Sequence, residues 1–222
     1  MNLDVIRENI NRIRAEIPAH VEILAAAKTR SLDAVRAASE AGIRFFGHNY
    51  VQEAQSMIQA ADFDAQWHLI GHLQRNKAKV AVELFDMVET LDSRRLGAEL
   101  EKRCAAIGKM LPVLIEINSG REENKTGVLP EEALELAEWT SKQAYLKTMG
   151  LMTMGPLTGD PELSRPYFVE TRRIFEEIKR MDLPDTEMSV LSMGMSNSYR
   201  VAIEEGATLI RLGTALFGPR KR

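Results

Sequence analysis

Residues 21–49 read VEILAAAKTRSLDAVRAASEAGIRFFGHN. An apolar run over 22–28 ends on Lys28. A helical pattern follows over 31–41, and a second apolar run fills 43–47 ahead of the Gly47-His48-Asn49 stretch. Strand, loop, helix and strand in that order imply parallel pairing, because parallel neighbours need a crossover. The rhythm recurs to the end of the chain. Further strand patterns fall at 66–71, 87–91, 111–117, 147–152, 188–193 and 208–212. Helical patterns fall at 50–61, 74–84, 93–107, 130–142, 161–181 and 197–205. Eight strands at this spacing predict an α/β fold, a single (β/α)8 barrel domain over residues 1–222. A doubly wound open sheet is the alternative, but AAAKTRS lacks the glycine-rich first turn it would want. Ahead of the barrel, Leu3, Ile6, Ile10, Ile13 and Ile17 form the apolar stripe of an extra N-terminal helix, ended by Pro18.

Composition narrows the function. The net charge is −3, with charged residues at 27%, so no basic face for nucleic acid is implied. No apolar run approaches the roughly 20 residues that cross a bilayer. The N-terminus has no signal-peptide core, and the single cysteine, Cys104, rules out an intrachain disulfide. A cytoplasmic protein is expected. On that expectation the glycosylation sequon at Asn124-Lys125-Thr126 is a chance match.

In such a barrel the chemistry sits at the C-terminal ends of the strands. Lysine ends the first strand and arginine lies near the end of the last, and closure makes those strands neighbours. Alternation puts Leu24, Ala26 and Lys28 on one face of the first strand, and Leu209, Arg211 and Gly213 on one face of the last. If both faces point inward, amine and guanidinium converge. Lys28 is then either a stem on the rim with its ammonium in water or a nucleophilic amine. Residues 192–206, SMGMSNSYRVAIEEG, place Ser196 as the N-cap of a helix facing the mouth. Gly213 and Thr214 repeat a glycine and a hydroxyl after the last strand. Such loops recur as phosphate clamps, although ordinary capping gives the same pattern. An amine, a guanidinium and a phosphate clamp together suit pyridoxal 5′-phosphate. Lys28 would bond its aldehyde, Arg211 would face the ring nitrogen, and Ser196, Gly213 and Thr214 would hold its phosphate.

The segments AAAKTRS, FFGHNYVQEA, WHLIGHLQRNKAK, LIEINSGREENKTG, GLMTMGP and LSMGMSNSYRVAIEEGATLIRLGTALFG cover nearly the whole chain. Together they resemble the pyridoxal phosphate homeostasis proteins, whose barrel is similar to the N-terminal domain of alanine racemase. The resemblance implies that Lys28 carries the cofactor as a Schiff base, that Arg211 meets the ring nitrogen, and that Ser196, Gly213 and Thr214 bind phosphate. It adds Asn49 beside the cofactor and a backbone N–H from Met195. It also implies a protein that carries and buffers the cofactor, maintains vitamin B6 and amino-acid balance, and serves apo-enzymes. His48 and Ser198 depart from the family pattern, which usually has glutamate and aspartate there.

Three functions compete. The first is a carrier without robust turnover. The second is an amino-acid racemase. Racemisation needs acid–base groups on both faces of the ring. The racemase takes its second group from a tyrosine of an additional domain, for which the chain, ending at LFGPRKR, is expected to have no room. Among the tyrosines here, Tyr50, Tyr145 and Tyr167 fall on helices or their edges, which leaves Tyr199 as the candidate. The third function is a cofactor-free Schiff-base aldolase. The carrier is favoured, as a monomer. His68 and His72 lie too far apart on a strand, about 13 Å, to share one metal ion. Cys104 reads as a small buried hydrophobe. Met152, Met154, Met193 and Met195 fall at strand ends, with core packing expected for at least two of them. Arg75, Lys77 and Lys79 form a basic patch that is either a solvated helix face or a place where a second anion docks.

Overall fold

The computed structural model describes residues 3–156 and 159–219. Eight strands close into one barrel in sequence order, each pair of neighbours parallel. They are β1 (Glu22–Ala26), β2 (Phe45–His48), β3 (Gln66–Leu69), β4 (Met87–Leu91), β5 (Leu111–Ile117), β6 (Leu146–Thr153), β7 (Thr186–Ser192) and β8 (Leu209–Leu212). The crossover helices are α2 (Leu32–Glu40), α3 (Val51–Ala60), α4 (Ala78–Leu84), α5 (Arg94–Ile107), α6 (Ala133–Thr140), α7 (Arg165–Arg180) and α8 (Tyr199–Glu204). The extra helix α1 (Leu3–Glu16) precedes the barrel, and a four-residue α9 (Thr214–Phe217) follows it. The last is too short to show a helical period in sequence. Three expected helices open on a 3-10 turn instead, at Arg75–Lys77, Pro130–Glu132 and Pro161–Ser164. In two of these, proline takes the first position, where its missing N–H is not needed.

Strand alternation divides the apolar residues into two layers. Leu24, Ala26, Phe45, Val190 and Leu209 pack inside the barrel with Ile70. Met87, Leu114 and Met152 form a second inner group. The alternate residues, Ile23, Ala25, Val113, Ile115, Ile210 and Leu212, face outward into the main core under the helices. The inner layer holds charge as well: Glu89, Arg211 and Ser192 share the inward parity of Met87, Leu209 and Val190, and all three are buried. Gly150 permits a shift of register between β6 and β7. Its φ is +151°, and a Cβ there would lie 1.8 Å from the Val190 carbonyl oxygen.

Helix α1 seals the seam where the last α/β unit meets the first. Ile6, Ile10 and Ile13 are buried against the main core, and the helix packs on α2 and α9. Asn9 donates to the Leu216 carbonyl at 3.0 Å, and Arg14 donates to the carbonyls of Ala41 and Gly42. Glu16 accepts from the Tyr199 hydroxyl at 2.9 Å and from Arg200 at 2.6 Å. Ile10 is fully buried. An Ile10→Ala variant is therefore expected to lose about 2–5 kcal/mol of unfolding free energy, read from its urea midpoint.

Candidate functional site

A cavity of about 490 Å³ opens at the C-terminal mouth of the barrel. Its wall contains Lys28, Asn49, Met195, Ser196, Arg211, Gly213 and Thr214, so the residues expected from sequence converge. Ala26, Ile70, Met154 and Asn197 complete it.

β1 ends at Ala26, two residues short of the lysine, which places Lys28 in the loop above. The chain turns sharply there. Thr29 has φ +62°, an uncommon conformation for a β-branched residue, and its N–H donates to the Glu53 carboxylate on α3. Lys28 is half-buried, and its Nζ lies 5.0 Å from the centre of the Tyr50 ring. β1 and β8 pair in register Leu24 to Arg211, so the amine sits at the rim and the guanidinium a layer deeper. Asn49 is fixed by backbone contact. A Cβ on Gly71 would lie 2.4 Å from the Asn49 carbonyl oxygen, so only glycine lets the β3 loop approach it.

Arg211 is held by a buried polar chain. Its Nη1 donates to Ser192 Oγ at 2.6 Å and its Nη2 to the Thr153 carbonyl at 2.7 Å. Ser192 donates onward to Glu89 Oε2 at 2.6 Å, and Glu89 Oε1 lies 2.7 Å from His68 Nδ1. Burial pushes the Glu89 carboxyl up. The His68 hydrogen bond and charge, Arg211 and Ser192 outweigh it and hold the group below the usual carboxylate range. Burial lowers Arg211, and the charges of Glu89 and Glu116 oppose that. Two of five guanidinium N–H groups are used in this chain. Arg211 also lines the cavity. On the other flank Glu116 is raised by burial, with one oxygen accepting from Thr126 at 2.8 Å and the other unpartnered.

The Ser196 end of the cavity differs in detail from the sequence expectation. Ser196 is not a helix N-cap, because α8 starts at Tyr199 and its N-cap position is Ser198. Ser196 Oγ instead accepts from the N–H groups of Gly213 and Ala215, at 3.2 and 3.1 Å, and ties the β7 loop to the β8 loop. Its own hydroxyl proton is left to donate. The Met195 N–H, expected to face a ligand, donates to Ser198 Oγ at 3.2 Å. There is room beside Gly213, where a Cβ would meet only Ala26 Cβ, at 3.7 Å.

Other sequence readings also resolve. Met152 and Met193 are core, while Met154 and Met195 line the cavity. Tyr199 is tied to Glu16 and does not line the cavity, and Tyr50, set aside as a helix-edge residue, is the tyrosine beside Lys28. His68 belongs to the Arg211 chain, and His72 lies 3.3 Å from Asp92. Cys104 is buried and its thiol is pushed up to about 11, an inert group. The buried chain behind Arg211 went unread, although Glu89 stands at an inward strand position where an apolar residue is normal.

His48 is fully buried, neither ring nitrogen has a hydrogen-bond partner, and burial depresses its basicity. Its folded value lies below the ordinary 6.5 or so, so the unfolded chain takes up the proton first as pH falls. Unfolding free energy is therefore expected to drop from about pH 6.5 downward until the depressed folded value is reached. His48→Gln should flatten urea-derived stability between pH 7 and 5, by up to about 1.4 kcal/mol per pH unit.

Comparison with known proteins places this geometry. The family model for the alanine racemase N-terminal domain matches residues 1–221. Alanine racemase of Clostridium difficile superposes with a TM-score of 0.84 at 14% identity, covering 99% of this chain and 58% of that one, a likeness of fold. Nearer relatives define the family. The pyridoxal phosphate homeostasis protein of Aquifex aeolicus is 41% identical over 201 residues, 90% of this chain and 87% of that protein. PipY of Synechococcus elongatus superposes in its form without PLP with a TM-score of 0.90 at 34% identity, covering 96% of this chain and 100% of that one. PipY with PLP bound gives 0.87 at 32%, with the same coverage. The chain belongs to the pyridoxal phosphate homeostasis protein family.

Proposed function

We propose that this protein holds pyridoxal 5′-phosphate on Lys28, buffers its concentration and hands it to apo-enzymes, without robust turnover of its own. The carrying observation is the convergence of Lys28, Arg211, Ser196 and Thr214 on one cavity of about 490 Å³. Family membership and the PLP-bound form of PipY support the reading. When bound, the cofactor supplies an aldehyde that condenses reversibly with amines.

The residues fit that group. Lys28 would offer the amine from the rim, and Arg211 would donate to the ring nitrogen. The hydroxyls of Ser196 and Thr214 would donate to the phosphate, and Asn49, Met154 and Met195 line the same cavity. The Met195 N–H would join the phosphate ligands only by leaving Ser198 Oγ. Arg211, with Glu89 behind it, keeps its own protons and gives none to the ring, which makes a weak electron sink.

Among the described residues that line the cavity none is a histidine, tyrosine, cysteine or carboxylate; Tyr50, 5.0 Å from Lys28 Nζ, belongs to the neighbouring cavity wall. That supports a carrier over a racemase, since a second proton donor is needed on the opposite face of the ring. No helix among the described residues is long and apolar enough to cross a membrane. The reading includes a cytoplasmic monomer that meets its apo-enzyme partners by diffusion.

The purified protein mixed with pyridoxal 5′-phosphate should turn yellow, and borohydride should fix the label on the peptide carrying Lys28. Lys28→Ala should stay colourless. A colourless wild type, or label elsewhere, defeats the reading. Deuterium exchange at the α-carbon across an amino-acid panel should be blank, and turnover there would establish the racemase instead.

A further inference from the structure

Two more cavities lie along the barrel mouth, over the loops after β2 to β5. One of about 320 Å³ shares Asn49 with the Lys28 cavity and carries Tyr50 and Lys77 on its wall. It shares His72, Leu73 and Gln74 with an outer cavity of about 630 Å³, walled further by Arg75, Asp92 and Arg95. Shared walls thus string the three together, from the outer rim to the lysine.

The charges along this string are uncompensated. Among the described residues many arginines are tied to carboxylates, as in the pairs of Arg7, Arg36, Arg94, Arg103, Arg121, Arg165, Arg173 and Arg200. Arg75, Lys77 and Arg95 pair with no carboxylate among the described residues. Asp92 is the one acid on the outer wall, and it faces His72 at 3.3 Å while accepting from Ser93 at 3.0 Å. The middle cavity has no acid at all among its lining residues. A chain of net charge −3 repels a dianion in general, and here the local sign is reversed. Arg75 and Arg95 both line the outer cavity together with Gln74 and Asn76, and the paired N–H donors of a guanidinium suit phosphate oxygens.

We propose that the outer cavity is a docking site for a small dianionic phosphate monoester, gripped by Arg75 and Arg95, from which the ligand passes Lys77 and Tyr50 to reach Lys28. The site takes Arg75 and Lys77, but not Lys79, from the basic patch of the sequence, and it deepens the carrier reading on which it rests. It holds pyridoxal 5′-phosphate before its aldehyde meets the amine, and again on the way out.

The test is rapid mixing of the cofactor-free full chain with pyridoxal 5′-phosphate, followed by visible absorbance. The wild-type rate should saturate with ligand concentration, the sign of a prior binding step. In the Arg75→Ala/Arg95→Ala variant it should fall about tenfold at low salt, lose saturation and salt dependence, and end at the same absorbance. Inorganic phosphate should slow the wild type more than the double variant, in which only the Ser196 and Thr214 end is left to take it. Lys142→Ala/Arg180→Ala, which removes two exposed unpaired cations from the opposite end of the barrel, should track the wild type. A double variant with wild-type rate and saturation overturns the site. So does equal slowing by phosphate in both proteins, or equal slowing in the control. A wild type that gains no absorbance removes the Lys28 reading, and calorimetric titration with phosphate then decides the outer site alone. Heat lost in the Arg75→Ala/Arg95→Ala variant upholds it, and equal heat in both overturns it.

Discussion

The hydrogen bonds joining β1 to β8 are the constraint on which the site depends. They set Leu24 opposite Arg211, and every functional side chain takes its position from that register. Closing the barrel brings residue 28 and residue 211 to one cavity although most of the chain separates them. Helix α1 guards the same closure from outside, with its isoleucines buried and Glu16 tied to Tyr199 and Arg200. A slip of one residue between β1 and β8 would turn Leu24 outward and take the lysine out of the cavity.

The second constraint is electrostatic. A guanidinium lies inside a barrel whose interior is largely apolar, with Leu24, Ile70, Leu114 and Met152 among its residues, and there an unpaired charge is costly. Ser192, Glu89 and His68 form a single hydrogen-bonded line that compensates it, and the Thr153 carbonyl takes a further N–H. The cation is therefore fixed in place by groups that never reach the cavity. It acts as a stationary donor, which suits holding a ring more than draining electrons from it.

The architecture was legible because two periodicities alternate along the chain, and each inward strand position obeyed a simple parity. Lys28 and Arg211 were legible for the same reason. What parity does not supply is the contact between elements. Ser196 looked like a cap for the helix that follows it, yet its oxygen serves the next loop, because local sequence cannot show that β7 and β8 end side by side. Tyr50 was set aside by its helix-edge position, although β1 and β2 are neighbours and their loops must meet. The proline-led 3-10 turns and α9 were too short to leave a period. Glu89 was the readable signal that went unused: a carboxylate on an inward strand position calls for a buried cation.

The Ser196 contact has a consequence for how a cargo is held. With one oxygen bridging two loops, the Ser196 end of the cavity is held together by the chain's own bonds. The lysine end is different, a half-exposed chain on a strained corner beside an exposed aromatic ring. A molecule gripped by its rigid end and loosely joined at its soft end can be released by one bond alone, with no unfolding of its cradle, and the empty vessel is at once ready to be filled again.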